Sequence, residues 1–196
     1  MKKKPKKIKS IDKKFLEWEE TINLIEKLKS SDPKISLLIF LLIYTGISIG
    51  DALELQIKHV RNKNFLKMPF AKYAVDIKIH PALKHAIKEY LIIINTKNPE
   101  AKLFQGRTED KHISIQWINK RLKQIAEEFN LSKKNISTFD FKIVFGRRVF
   151  ENSVDKRNAI LSLKKFFGHN SMNLTMEYLH VELPKNSVNP GIFDLL

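Results

Sequence analysis

The chain has 196 residues, 43% of them apolar, and carries 36 Lys and Arg against 21 Asp and Glu for a formal net charge of +15. That size and apolar content suit a globular domain with a real hydrophobic core, and the cationic surplus favours a polyanionic partner, nucleic acid first. The lack of cysteine excludes disulfides and thiolate zinc sites, the six His residues show no metal-ligand spacing, and the longest apolar run, 35–47, is interrupted by Ser36 and too short to cross a bilayer.

Residues 1–11 begin MKKKPKKIKS and read as a basic flexible arm, suited to lie on phosphates or to act as a solubilising tail. No apolar stretch follows it, so it is not a secretory signal, and a cytoplasmic, nucleoid-associated location is expected. Residues 12–28 place Phe15, Trp18, Ile22, Ile25 and Leu28 near one helical face. SSDP marks a break, with Pro33 at a first-turn position of the next helix. That helix runs to about residue 44, is almost wholly apolar, and reads as the central core element. Thr45-Gly46 ends it. Gly50-Asp51 then opens a short helix over DALELQIKHV, with Ala52, Leu53 and Leu55 facing inward.

The pattern changes over residues 65–79. FLKMPF and YAVDIKI carry strand-type residues in partial alternation, predicting a small antiparallel sheet that bears Lys67, Lys72 and Lys78. Pro81 starts a helix, PALKHAIKEYLIII, and Lys102-Leu103-Phe104 is a short extended piece. Ser114 caps a helix with Ile115, Ile118, Leu122, Ile125 and Ala126 inward. Its outer side carries Lys120, Arg121 and Lys123, an edge suited to phosphates; the plain alternative is a solvated helix face. Thr138 is the expected N-cap of a helix through Phe150. Val154-Asp155 begins the next, which leads through Leu161 and Leu163 to Phe166-Phe167. Gly168 breaks it, and residues 173–179 form a last short helix, with Met172 and Met176 read as core packing. Residues 183–196 are a tail ending in IFDLL, able to dock on a partner or second copy, or to fold back. The order of elements predicts a mainly α domain with a small antiparallel β-sheet over residues 12–182.

The segment GHNSMNLTMEYLH carries the chemistry. Gly168-His169 is followed by Tyr178 and then His180. A tyrosine is a possible covalent nucleophile and a histidine a proton donor or acceptor beside it. On the residues alone, Tyr178 is equally a core-facing tyrosine at a helix end, and His169 a capping or packing residue. His180 reads as a surface residue or a support for the tyrosine segment.

Several strings in this order resemble the catalytic domain of the tyrosine site-specific recombinases, the phage-integrase family, over nearly the whole chain. YTGISIGDALEL resembles the family's Thr-Gly turn, short helix and Leu-rich exit. The strand-rich stretch followed by HPAL resembles its small sheet. KLF resembles the segment before its long DNA-facing helix. ENSVD and then FFGHNSMNLTMEYLH resemble its final helices. The resemblance implies double-stranded DNA as partner and no cofactor or metal. A tyrosine attacks a phosphodiester, two arginines clamp the nonbridging oxygens, a sheet lysine protonates the leaving 5′ oxygen, and histidine-type positions assist. Aimed cations stabilise the charge that builds on a pentacoordinate phosphate.

Carried onto this chain, the resemblance places Tyr178 on the nucleophile and His169 on the Gly-His histidine. The first arginine position is Ser48. The His-x-x-Arg motif reads Phe139-Asp140-Phe141-Lys142, so Phe139 stands for the histidine and Lys142 for the second arginine. The sheet lysine is Lys67 or Lys72, with Lys67 preferred. Losing one transition-state donor costs about 3 kcal/mol, and Lys142 keeps charge without the planar fork of an arginine. Arg147 and Arg148, beyond Lys142, are candidate DNA contacts or substitute cations. Phe139 reads as core or cleft-lining.

The family usually sets a helical clamping domain ahead of the catalytic one. With only the basic arm there, weaker DNA affinity is expected. The family's C-terminal tail docks on a neighbouring subunit, so a homo-oligomer or a related recombinase is an expected partner, and no membrane is. The leading expectation is a DNA-binding protein of recombination or integration with impaired or absent strand cleavage. An active recombinase acting through Tyr178, and a structural or interaction domain that kept only the fold, are the alternatives.

Overall fold

The computed structural model describes residues 14–67 and 76–184. The basic arm, Lys72 and most of the C-terminal tail therefore lie outside the described residues. The chain divides into two compact units, Met1–Lys142 and Ile143–Leu196, with the division falling inside one helix.

In the first unit, α1 (Trp18–Ser31) leads into α2 (Pro33–Thr45). Asp32 is the pivot: its side chain accepts the Ile35 N–H at the start of α2, and Pro33 fills the position whose N–H would have no helical partner. Every residue from Ile35 to Ile43 is buried, so α2 is the core helix that the apolar run predicts. It packs against α1 and α5 (Pro81–Ile94). Gly46 ends it in the left-handed region at φ 67°, where a side chain would be strained. The buried face of α1 is Thr21, Leu24, Ile25 and Leu28, rotated from the predicted one. Thr21 tolerates burial because its hydroxyl donates to the Glu17 carbonyl at 2.8 Å. Trp18 is the first helical residue, later than predicted, and its ring lies 5.4 Å from that of Tyr44.

DALELQIKHV is not one helix. It divides into α3 (Ile49–Glu54) and α4 (Ile57–Val60), with Leu55 and Gln56 extended between them. The reason is non-local. The Leu55 carbonyl accepts the Leu103 N–H at 2.8 Å, and the Ile57 N–H donates to the Ala101 carbonyl at 2.9 Å. These backbone groups bond residues 101–103 and cannot also continue a helix; the predicted extended piece at residues 102–104 reduces to a bridge between Lys102 and Gln56, followed by a turn at Leu103 and Phe104. The small sheet is antiparallel, with β1 (Phe65–Lys67) paired to β2 (Asp76–Lys78) in the register Phe65↔Lys78, Leu66↔Ile77, Lys67↔Asp76.

Helix α6 (Ile115–Glu128) starts at Ser114, whose Oγ accepts the Trp117 N–H at 3.1 Å. Its buried face is Ile118, Leu122, Ile125 and Ala126, whereas Ile115 is on the exposed side. In α7 (Thr138–Asn152), Thr138 is the first helical residue, not the cap. The Ser137 N–H and hydroxyl both donate to Asp140 Oδ2, at 2.8 and 3.1 Å, closing the turn that precedes the helix.

In the second unit, the remainder of α7 is followed by α8 (Lys156–Phe167) and α9 (Met172–Leu179). Asp155 caps α8 through the Asn158 N–H at 2.9 Å. Helices α8 and α9 pack together. Thr175 and Leu179 are the buried residues of α9; Met172 and Met176 are only half-buried, so they do not supply the core packing read from the sequence.

Candidate functional site

Two groups of predicted site residues emerge, one in each unit. In the first, Ser48 is the N-cap of α3. Its Oγ accepts the Asp51 N–H at 3.1 Å while its hydroxyl donates to Asp51 Oδ2 at 2.6 Å. Lys142 is half-buried on α7. Burial lowers its pKa from the ordinary lysine value, and the Asp51 carboxylate opposes that shift. Asp51 therefore joins Ser48 and Lys142 into one electrostatic neighbourhood. Sequence reasoning missed Asp51 as a site residue. The available signal was Ser48-x-x-Asp51, a capping pattern at a helix start.

Phe139 lies one turn before Lys142 and is 68% exposed, so it is not a core residue. A large apolar ring at that exposure neither donates nor accepts a proton. Lys67 is exposed at the end of β1, with Asp76 as its cross-strand partner. On α6, Lys120 and Lys123 are exposed. Arg121 is engaged differently: its Nε donates to Asp32 Oδ2 at 2.9 Å, and a terminal nitrogen reaches Glu128 at 3.4 Å. The hydrogen bond that it donates to Asp32 raises its pKa from the ordinary arginine value. This guanidinium ties α6 to the start of α2.

In the second unit, Gly168 ends α8 in the left-handed region at φ 72°. A Cβ there would meet nothing within 4 Å, so it is the backbone conformation, not space, that favours glycine. The turn sends His169 back toward α9. Its ring centroid lies 5.3 Å from that of Tyr178, nearly edge-on at 78°. His169 Nδ1 is 3.0 Å from Thr175 Oγ1, and the Thr175 hydroxyl donates to the Ser171 carbonyl at 3.2 Å. Thr175 thus accepts from Nδ1–H, which makes Nε2 the acceptor nitrogen of the neutral ring. The Tyr178 ring also meets Phe167, at 5.7 Å and 72°. Phe167 in turn contacts Phe145 and Phe166. Tyr178 is half-buried at the edge of this aromatic cluster.

Arg147 sits against the end of α9, with its guanidinium on the carbonyls of Leu179 and His180 and on Glu151. Arg148 is half-buried on the same helix. Among the described residues, no three His, Asp or Glu side chains gather to hold a metal ion, and no helix is long and apolar enough to cross a membrane.

Comparison with known proteins bears on the family and the fold. The chain is 27% identical over 184 residues to the tyrosine recombinase XerC of Rickettsia canadensis (strain McKiel), covering 90% of this chain and 58% of that protein. It is 27% identical over 161 residues to the XerC of Rickettsia prowazekii (strain Madrid E), covering 78% of this chain and 50% of that one. The chain thus spans about half the length of these relatives. Among solved structures, the fold is similar to that of XerA recombinase, with a TM-score of 0.68 at 21% identity over 91% of this chain and 62% of the other. It is also similar to the Tn1549 transposon integrase in complex with circular intermediate DNA, with a TM-score of 0.67 at 14% identity over 92% of this chain and 64% of that one. These likenesses establish the mainly α fold with its small antiparallel sheet. Residues 14–183 match the phage integrase family, and the chain belongs to that family, the tyrosine recombinases.

Proposed function

We propose that this chain is a DNA-binding protein of the tyrosine-recombinase type whose strand cleavage is impaired or absent. The observation that carries this reading is the Ser48–Asp51 hydrogen bond at 2.6 Å. The position where the resemblance calls for an arginine holds a short hydroxyl that faces a carboxylate. Ser48 itself offers a phosphate no guanidinium, and the cation that the resemblance sets beside it, Lys142, is half-buried and has Asp51 as an electrostatic neighbour. Removing one such donor costs about 3 kcal/mol of transition-state stabilisation, and Phe139 removes a proton-transfer group as well. The losses need not add, because groups of this kind act as a unit.

The DNA-binding half of the proposal is supported by the net charge of +15 and by family membership. Lys67, Lys120, Lys123 and Arg148 are the described candidates for backbone contacts; Lys72 is a further one outside the described residues. Such contacts produce strong salt dependence. A second copy or a related recombinase, engaged through the C-terminal tail, is the proposed protein partner. A nucleoid-associated location follows from this reading.

The retained His169–Tyr178 contact favours a second reading, an active recombinase. There the Tyr178 oxygen would form a bond to phosphorus and give up its proton to a base. The bond from phosphorus to the 5′ oxygen would break, and that oxygen would take a proton from Lys67. Duplex DNA and a nicked duplex that traps covalent adducts separate the two readings. Salt-sensitive retardation of the duplex without an adduct supports the first. An adduct lost in Tyr178→Phe supports the second. No retardation at low salt removes both and leaves a domain that kept the fold alone.

A further inference from the structure

Gly146 and Arg147 are consecutive residues in the part of α7 that belongs to the second unit, and both serve α9. A Cβ at Gly146 would lie 2.5 Å from Leu179 Cδ2 and 3.1 Å from the Phe167 ring. The missing side chain is what lets the end of α9 come this close. Arg147 then reaches over that end. One terminal nitrogen donates to the carbonyls of Leu179 and His180, each at 3.0 Å, and the other to Glu151 Oε1 at 2.8 Å.

The helix end needs this support. His180 closes α9 in the left-handed region at φ 52°, a conformation that glycine adopts at little cost and that is strained for other residues. Backbone donors at His180 and Val181 satisfy the Met176 carbonyl, and His180 also reaches Glu177. The Leu179 and His180 carbonyls lie past those bonds, at the negative end of the helix dipole, and Arg147 is the donor placed on both.

We propose that Arg147 is a positioning residue: it fixes the C-terminal end of α9 and so holds the Tyr178 ring against His169 and Phe167. Tyr178 is one residue before Leu179, so any change in the last turn of α9 moves its ring. This role replaces the phosphate contact read from the sequence, because the donors are aimed at protein oxygens. It does not rest on DNA binding and is measured on the free chain.

The test compares wild type with Arg147→Ala and Arg147→Lys by hydrogen exchange and by NMR of the aromatic rings. In Arg147→Ala, the His180 and Val181 amides exchange about tenfold faster, as loss of charge-assisted hydrogen bonds implies. The ring-current shifts that Tyr178 and His169 impose on each other shrink, while the exchange of α2 amides is unchanged. Arg147→Lys retains one compact ammonium and gives intermediate values, which keeps the test valid if the alanine variant does not fold. Unchanged exchange and ring shifts in both variants overturn the proposal. So does a loss of DNA affinity with both ring signals unmoved, which would make Arg147 a phosphate contact.

Discussion

The Ser48–Asp51–Lys142 neighbourhood and the His169–Tyr178 neighbourhood are held by different forces. The first is polar. Its side chains are fixed by a cap, a carboxylate and a half-buried ammonium. Ser48 carries no charge there and gives α3 a capped start. The second is aromatic. Tyr178 and His169 extend a cluster that includes Phe145, Phe166 and Phe167. A tyrosine in that setting is retained by packing whether or not it reacts. Under the proposed reading, the presence of Tyr178 is therefore weaker evidence of activity than the presence of the cations that would serve it.

The comparison can be broken first at Gly146. Gly146→Val forces a branched side chain into space occupied by Leu179 and Phe167, and overpacking of this kind costs about 1–3 kcal/mol. A urea unfolding series should show that loss; a neutral variant would mean that α9 does not need the close approach.

Tyr178 sharpens the contrast next. If packing retains it, Tyr178→Phe changes stability by no more than about 0.5 kcal/mol, whereas Tyr178→Ala costs roughly 1–2 kcal/mol, below the range for a fully buried ring because the residue is half-buried. Equal losses in the two variants would show that the hydroxyl, not the ring, is what the fold uses. On the polar side, Ser48→Ala removes the cap of α3 and costs about 1 kcal/mol. A smaller loss would say that Asp51 holds its turn alone.

The smallest effect concerns pH. Burial lowers the Lys142 pKa from 10.5, so the unfolded chain holds that proton more tightly than the folded one. The penalty is full below the folded pKa and is relieved as pH rises toward 10.5, so stability attributable to Lys142 increases with pH there. Lys142→Met removes the rise. The check is the difference in urea midpoint between wild type and variant at mildly and strongly alkaline pH; a difference that does not narrow as pH rises contradicts the burial.

Much of this architecture was legible in the sequence because it is written locally. The apolar run of α2, the breaks at SSDP and Val154-Asp155, the cap at Ser114, and the glycines at 46 and 168 each mark an element through its own residues. What escaped depends on distant partners. The break at Leu55–Gln56 exists because that backbone bonds residues 101–103. Arg121 looked like an outward cation because Asp32, its partner, is 89 positions away. The bonds of Arg147 could not be read from its own segment, because the carbonyls it meets return from α9, 32 and 33 positions later. Phe139 was read as core or cleft-lining from its residue type, but its place on the first turn of α7 leaves it 68% exposed. Within the candidate site, identities could be assigned by resemblance, whereas the role of Asp51 needed its hydrogen bond to Ser48.

The central claim is that the lost arginine positions, and not the tyrosine, limit strand cleavage. The direct test is covalent trapping on a nicked duplex by wild type, by Ser48→Arg/Lys142→Arg, and by the double variant carrying Tyr178→Phe, at protein concentrations where each retards DNA. The account predicts no trapped adduct for wild type, a rise of roughly a hundredfold or more in the double variant, as restoring one transition-state donor implies, and loss of that adduct with Tyr178→Phe. A wild-type adduct formed as efficiently as that of the double variant would contradict it.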